Sequence, residues 1–282
     1  MHPAVAVATE PSAESDGKPL EAEPLNLYQF PVLYDTLKTP DAPDVELVRR
    51  VFQRHVGSGP WRLLDPACGP GNWLKPFADG RNTIVGNDYC DEMVQWVHGT
   101  LRQRRVRAQH GDMYRLDFGA ERFDIVLEAS GVTSIVPDVA RLARWIDDLA
   151  RWLSPRGAMV FLVNCESPVP QRLPAVLWRT PWKLIPGGGK ARLQYDLLED
   201  LPERGTQRIR RTVSTQNVRN CPSQIQEHYE LKVWRKQEVE QVISSLQRVR
   251  LASVIDPEHP RALDQPAPEW QGERFFVFKP LA

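Results

Sequence analysis

The chain lacks the features that would commit it to a membrane, a metal or a nucleic-acid surface. No apolar run approaches the ~20 residues a helix needs to cross a bilayer. The first residues hold no basic region followed by an apolar stretch, so no signal peptide is expected. There are only four cysteines in 282 residues (Cys68, Cys90, Cys165 and Cys221), far apart and without a C-x-x-C pair. That argues against zinc and against a disulfide framework, so no metal site is expected and a reducing, cytoplasmic compartment is. Net charge is missing too, since Lys+Arg and Asp+Glu both number 36. Without a bulk basic field, general nucleic-acid binding is not expected. The basic run Arg208-Ile209-Arg210-Arg211 reads as one solvated strand face.

What remains is a chain with 41% hydrophobic residues, enough for one large α/β core with an inserted subdomain. Residues 1–24, rich in Ala, Pro, Glu and Ser and without periodicity, read as a disordered tail. Residues 25–60 form an arm dense in aromatics, then a helix capped by Asp44, with Val45, Val48, Val51 and Phe52 on one face. From 61 to 163 strand and helix alternate. Strands are expected at 62–64, 83–86, 106–108, 123–127 and 158–163. A helix is expected at 72–78, another with Met93, Val94, Val97 and Leu101 on one face, and a third carrying Leu142, Trp145, Ile146, Leu149 and Leu153. Residues 235–282 add a helix at 237–246 and strands at 249–255 and 274–279. Such alternation predicts a Rossmann-like, mostly parallel sheet with helices on both faces, whose ligands bind at the carboxyl ends of the strands.

The stretch Trp61-Arg-Leu-Leu-Asp-Pro-Ala-Cys-Gly-Pro-Gly71 runs from a strand through a tight glycine turn. A dinucleotide-binding loop would carry a third glycine or alanine three residues after Gly71, where this chain has Leu74. An acid also precedes the first glycine by four residues. The pattern apolar-apolar-Asp-x-x-x-Gly-x-Gly resembles motif I of the class I S-adenosylmethionine-dependent methyltransferases, in the broad methyltransferase-25/11 small-molecule group. Asp65, Asp88 and Asp112 then fall at the carboxyl ends of successive strands. The resemblance implies a seven-stranded sheet with an antiparallel last strand, and S-adenosylmethionine as cofactor, leaving as S-adenosylhomocysteine. It implies that Asp88 accepts both ribose hydroxyls, that Asp112 and the Met113 amide meet the adenine edge, and that Tyr89 and Met93 flank that ring. Asp65, Cys68, Gly69 and Gly71 would surround the methionyl end, with Glu128 near the cofactor's amino group. Tyr34-Asp35 looks like the arm that covers the methionine end in many such enzymes.

Residues 164–234, rich in Pro and Trp and followed by three strand-like runs, are expected to form an antiparallel β cap over the site. The run Glu227-His-Tyr-Glu-Leu-Lys-Val-Trp234 is similar to a strand of the same small-molecule group. Tyr28, Trp178, Trp182, Tyr195 and Tyr229 serve either as cap core or as the lining of an acceptor pocket. His228 and Glu128 are the candidate bases. No Asn/Asp-Pro-Pro-Tyr/Phe follows the fourth strand, where the chain reads Glu128-Ala-Ser-Gly131, so nucleic-acid amino methylation is disfavoured. The expected function is methyl transfer to an O or N atom of a small molecule in secondary metabolism. An RNA or protein substrate, or a non-methylating member that only binds the cofactor, are the alternatives.

Overall fold

The computed structural model describes residues 25–102, 104–170, 172–258 and 270–281. The expected tail, residues 1–24, lies outside the described residues. The arm opens with a single 3-10 turn and continues as α1 (Pro31–Lys38), followed by α2 (Ala42–His55). Asp41 rather than Asp44 occupies the N-cap of α2, because Pro43 fits the first helical turn, where its missing amide is not needed.

Seven strands form the central sheet: β1 (Arg62–Asp65), β2 (Thr83–Asp88), β3 (Val106–His110), β4 (Phe123–Glu128), β5 (Leu153–Cys165), and β11 (Val249–Ile255) and β12 (Gly272–Pro280) from the end of the chain. Their order is β11-β12-β5-β4-β1-β2-β3. β1 through β5 are mutually parallel where they pair, whereas β12 runs antiparallel to both β5 and β11. The chain moves outward from β1 to β3, then returns to place β4 on the other side of β1. This reversal opens a crevice at the carboxyl ends of β1 and β4.

Helices α3 (Asp91–Leu101), α4 (Val139–Ala150) and α5 (Lys236–Ser245) complete the layers. One core packs Leu142, Trp145, Ile146 and Leu149 of α4 and Val239 and Val242 of α5 against Phe161 and Phe276 of the sheet. On the opposite face Val48, Val51 and Phe52 of α2 meet Phe77, Val97 and Leu101. Each such side chain contributes roughly 1.5–3 kcal/mol on burial, so these two seams hold the sheet edge still enough to serve as a scaffold.

The helix expected at 72–78 does not form. Residues after the glycine turn make tight turns and one 3-10 turn, Lys75–Phe77. Pro76 has no amide to return to the Asn72 carbonyl, so an α-helical ladder cannot start there. The cap is a separate antiparallel sheet of order β10-β9-β8-β6, built from β6 (Ala175–Arg179), β8 (Lys190–Leu201), β9 (Thr206–Gln216) and β10 (Gln224–Lys232), with short β7 (Lys183–Leu184) beside β8. Its inner face shares a core with the arm and with Met93 of α3. Among the described residues no helix is long and apolar enough to cross a membrane.

Candidate cofactor site at the carboxyl edge of the sheet

The glycine turn is pinned down onto β2. The Cys68 amide donates to the Asn87 carbonyl at 2.7 Å, and the Gly71 amide closes the turn onto the Cys68 carbonyl at 3.0 Å. Gly71 has φ of 84°, and a Cβ there would stand 3.2 Å from Leu101 Cδ1, so both conformation and space call for glycine. Under the turn, a side chain on Gly86 would meet Cys68 Sγ at 2.6 Å. Glycine on β2 thus lets the loop sit flat on the strand and brings its amides to the crevice.

Asp88 receives that loop. Its Oδ2 accepts the Gly69 amide at 2.6 Å and its Oδ1 the Cys90 amide at 2.9 Å. Burial raises its pKa against the pull of those amides. Asp65, at the end of β1, accepts the Ala67 amide on Oδ1 at 3.0 Å, while its Oδ2 is buried with no partner. Glu128, at the end of neighbouring β4, accepts the Ser130 and Val132 amides on Oε1, and its Oε2 is likewise buried and unpaired. Burial pushes Glu128 up to about 7, the backbone amides opposing it. It drives Asp65 well above the usual carboxylate range, with Glu128 and Asp88 adding repulsion. Both side-chain atoms of buried Asn72 lack partners as well. Each unsatisfied polar group costs about 1–3 kcal/mol when buried, and the charge repulsion adds to it. A cationic, hydrogen-bond-donating group between Asp65 and Glu128 would relieve both costs. That is the end of S-adenosylmethionine that carries its ammonium, and the residues present fit it.

Other residues named from sequence are distributed around this edge. Asp112 lies just beyond β3, with its carboxylate accepting the Tyr114 amide at 2.9 Å. Met113 packs on the core and its carbonyl accepts from Trp145 Nε1 at 3.0 Å, which fixes the backbone of this turn. Tyr89 is 52% exposed beside the crevice, and His110 Nε2 lies 2.8 Å from its carbonyl. Met93, by contrast, is fully buried beneath the arm. Tyr34 covers the glycine turn, its Cε1 standing 3.8 Å from where a Gly69 Cβ would be, and its ring is 5.5 Å from that of Tyr28. Tyr195 and Tyr229 face inward from the cap, and Trp178 packs at the cap edge 5.9 Å from the Tyr195 ring while remaining 45% exposed. Trp182 is farther out, stacked under Lys190 and Arg192. His228 is exposed on β10, on the face opposite Glu227 and Tyr229, and the sheet does not bring it to the crevice.

Two residues with structural weight here were not singled out from sequence. Asn87 Nδ2 donates to both the Pro66 and Gly111 carbonyls, tying the loops after β1 and β3 to the end of β2. Arg211 was grouped with its solvated neighbours but is 1% exposed inside the cap. Strand alternation carries the signal: Arg208 and Arg210 pair outward with Glu199 and Asp196, whereas Arg211 shares parity with Ile209 and Val213.

Residues 63–157 match the methyltransferase-domain family. The match runs from within β1 to within β5, the part that carries the glycine turn and all three aspartates. Solved structures extend the likeness to the whole domain. An S-adenosylmethionine-dependent methyltransferase from Clostridium acetobutylicum superposes with a TM-score of 0.68 at 14% identity, covering 90% of this chain and 99% of that one. The sugar N-methyltransferase of a Streptoalloteichus species gives 0.65 at 18% identity, covering 96% and 100%. At these identities the likeness is one of fold. An uncharacterized protein of Mycobacterium tuberculosis is 32% identical over 115 residues, which is 39% of this chain and 40% of that relative's length.

Proposed function

We propose that the protein is an S-adenosylmethionine-dependent methyltransferase that acts on an O or N atom of a small molecule in secondary metabolism, within the cytoplasm. The observation that carries the reading is the row of carboxylates at the sheet edge. Asp65 and Glu128 hold buried, unpaired oxygens at the ends of adjacent strands β1 and β4, and Asp88 cradles the glycine turn beside them. When bound, S-adenosylmethionine supplies a sulfonium methyl that is already activated for displacement. Asp65 and Glu128 would hold its ammonium, Asp88 its ribose hydroxyls, and the Asp112–Met113 turn beside Tyr89 its adenine. Cys68, Gly69 and Gly71 would form the floor, and Tyr34 would cover the methionyl end.

The chain's own contribution is then largely one of placement. An acceptor atom held about 3–3.5 Å from the methyl and in line with the departing sulfur gains effective molarities near 10⁵–10⁸ M. Tyr28, Tyr195 and Tyr229 would line the acceptor's side of the site, with Trp178 and Trp182 at its rim. A closed apolar-and-phenolic cap favours a compact acceptor over an RNA or protein chain. The sugar N-methyltransferase of like fold is in keeping with that class. The test is release of S-adenosylhomocysteine from S-adenosylmethionine in the presence of a small-molecule library, with tRNA and peptides run alongside. Turnover with the library supports the reading. Turnover with macromolecules alone, or cofactor binding with no acceptor in any class, overturns it.

A further inference from the structure

The inner face of the cap carries a buried polar row that the cofactor site leaves unused. β8, β9 and β10 align Tyr195, Arg211 and Glu227 directly across the strands. Glu227 accepts from Arg211 Nε at 2.7 Å and Nη2 at 2.5 Å. The third guanidinium nitrogen, Nη1, has no partner, and neither do the hydroxyls of Tyr195 and Tyr229. The rings of Tyr28 and Tyr229 lie 5.3 and 5.7 Å from the guanidinium carbon. Tyr28 leads through Tyr34 to the glycine turn, so two aromatic rings separate the row from that turn.

Charge decides what these free donors suit. Glu227 already neutralises Arg211, and the field of Asp88 reaches Tyr28 and Tyr34 beside it. A carboxylate or phosphate placed here would upset a balance of two carboxylates and two cations, since the Lys38 ammonium stands 4.9 Å from the Tyr195 ring and adds its charge to that of Arg211. An ammonium would meet the N–H groups of Nη1 head-on. A neutral oxygen accepts from Nη1 and from either phenol without adding charge. We infer that Arg211, Tyr195 and Tyr229 anchor the acceptor by an uncharged carbonyl, amide or hydroxyl oxygen remote from the methylated atom, and thereby select neutral acceptors. The word acceptor rests on the methyl-transfer reading above. The arm is fastened to the same group, since the Leu27 amide donates to Glu227 Oε2 at 3.3 Å. An occupant therefore reaches Arg211 from beneath a lifted arm, and closure of the arm re-forms a bond to the partner of Arg211.

The experiment compares benzamide, benzoate and benzylamine, which share a ring and differ in the charge of the head group. Each is titrated by ligand-observed NMR into the full chain, with and without saturating S-adenosylhomocysteine. Benzamide is expected to bind about tenfold more tightly than the other two, the scale of one net hydrogen bond. The double variant Tyr195→Phe/Tyr229→Phe removes only hydroxyls that have no partner, so its melting temperature and S-adenosylhomocysteine affinity should hold while the benzamide preference disappears. A preference for benzoate or benzylamine, or no detectable probe binding, overturns the assignment. So does an unchanged preference in the double variant, or a parallel loss of S-adenosylhomocysteine affinity, which would make the row part of the cofactor site. If wild type fails to bind S-adenosylhomocysteine, the methyl-transfer reading falls. The probe ranking on the free chain still judges the anchor.

Discussion

The Gly69 amide and Asp88 Oδ2 are 2.6 Å apart, so the acid at the end of β2 holds the glycine turn that follows β1. One carboxylate therefore shapes the loop, and its remaining lone pairs would be available to the two ribose hydroxyls of the proposed cofactor. Replacing Asp88 by Ala should weaken S-adenosylhomocysteine binding by about tenfold to a hundredfold, the range expected for hydrogen bonds to a charged group. Asp88→Asn, which keeps one acceptor oxygen, should lose less. Isothermal titration calorimetry measures both. Wild-type affinity in Asp88→Ala would remove this residue from the cofactor site.

Glu128 makes stability and cofactor affinity depend on pH in opposite directions. Burial raises its carboxyl from 4.5 to about 7. The folded chain therefore holds the proton more tightly than the unfolded one. Its stabilisation is complete below pH ~4.5 and is lost as pH climbs through about 7, a difference of about 3 kcal/mol. Asp65, shifted the same way, adds to the trend. Wild type should melt at a lower temperature at pH 8 than at pH 5, and Glu128→Gln, which retains the Oε1 acceptor for Ser130 and Val132, should melt with a shallower dependence. S-adenosylhomocysteine affinity should instead rise from pH 6 to 8, as its ammonium meets an ionised Glu128. Calorimetry on both proteins at the two ends of that range decides the matter. Identical slopes in wild type and variant would contradict it.

Asn87 is expected to matter through position rather than contact. Its amide holds the Pro66 and Gly111 carbonyls at 3.0 and 2.9 Å, one from each flanking loop. Asn87→Ala strands two carbonyls in a buried place, at about 1–3 kcal/mol each if water does not enter. A melting temperature several degrees lower should accompany a weaker S-adenosylhomocysteine complex. Loss of stability with full cofactor affinity would show that the three loops keep their places without it.

The acids of the edge were legible because strand–helix alternation fixes where each strand ends, and three aspartates fell at those ends in register. The sheet and the inserted cap were legible from the same alternation, whereas the antiparallel direction of the last strand came only from the resemblance carried by the glycine turn. The turn after Gly71 was not, since hydrophobic spacing at 72–78 resembles a helix while Pro76 denies it the amide. Arg211 was hidden by its neighbours. Four residues of Arg208-Ile-Arg-Arg211 look like one polar patch until the strand's period of two puts Arg211 beside Ile209 and opposite Glu227. His228 suffered the reverse. Histidine in a cap strand suggests a base, but the same period turns it outward, away from Tyr229. His228→Ala should accordingly keep methyl transfer within about twofold of wild type, and a fall of the 10²-fold or more expected for a lost base would restore it to the site.

Asp35 latches the helical part of the arm. Asp35 Oδ2 accepts from Trp96 Nε1 at 3.0 Å and pairs with Lys75, so α1 is tied both to α3 and to the turn that follows the glycine loop. Both partners of the ion pair are largely shielded, with side-chain exposures of 28% for Lys75 and 14% for Asp35, so solvent screens it less than a surface pair. Tyr34, one residue before Asp35, covers the glycine turn, and Leu27 and Tyr28 at the arm's start reach the Glu227–Arg211 pair. Releasing the latch should therefore uncover cofactor and acceptor sides together. Asp35→Ala is expected to raise the dissociation rate of S-adenosylhomocysteine about tenfold, as the loss of hydrogen bonds to a charged group implies, while the association rate changes little. Stopped-flow fluorescence reads this, with Trp96 itself as a reporter that loses its hydrogen bond. An unchanged dissociation rate, with the Trp96 signal altered, would mean that the arm stays closed on its apolar contacts and that Asp35 serves only to seat α1.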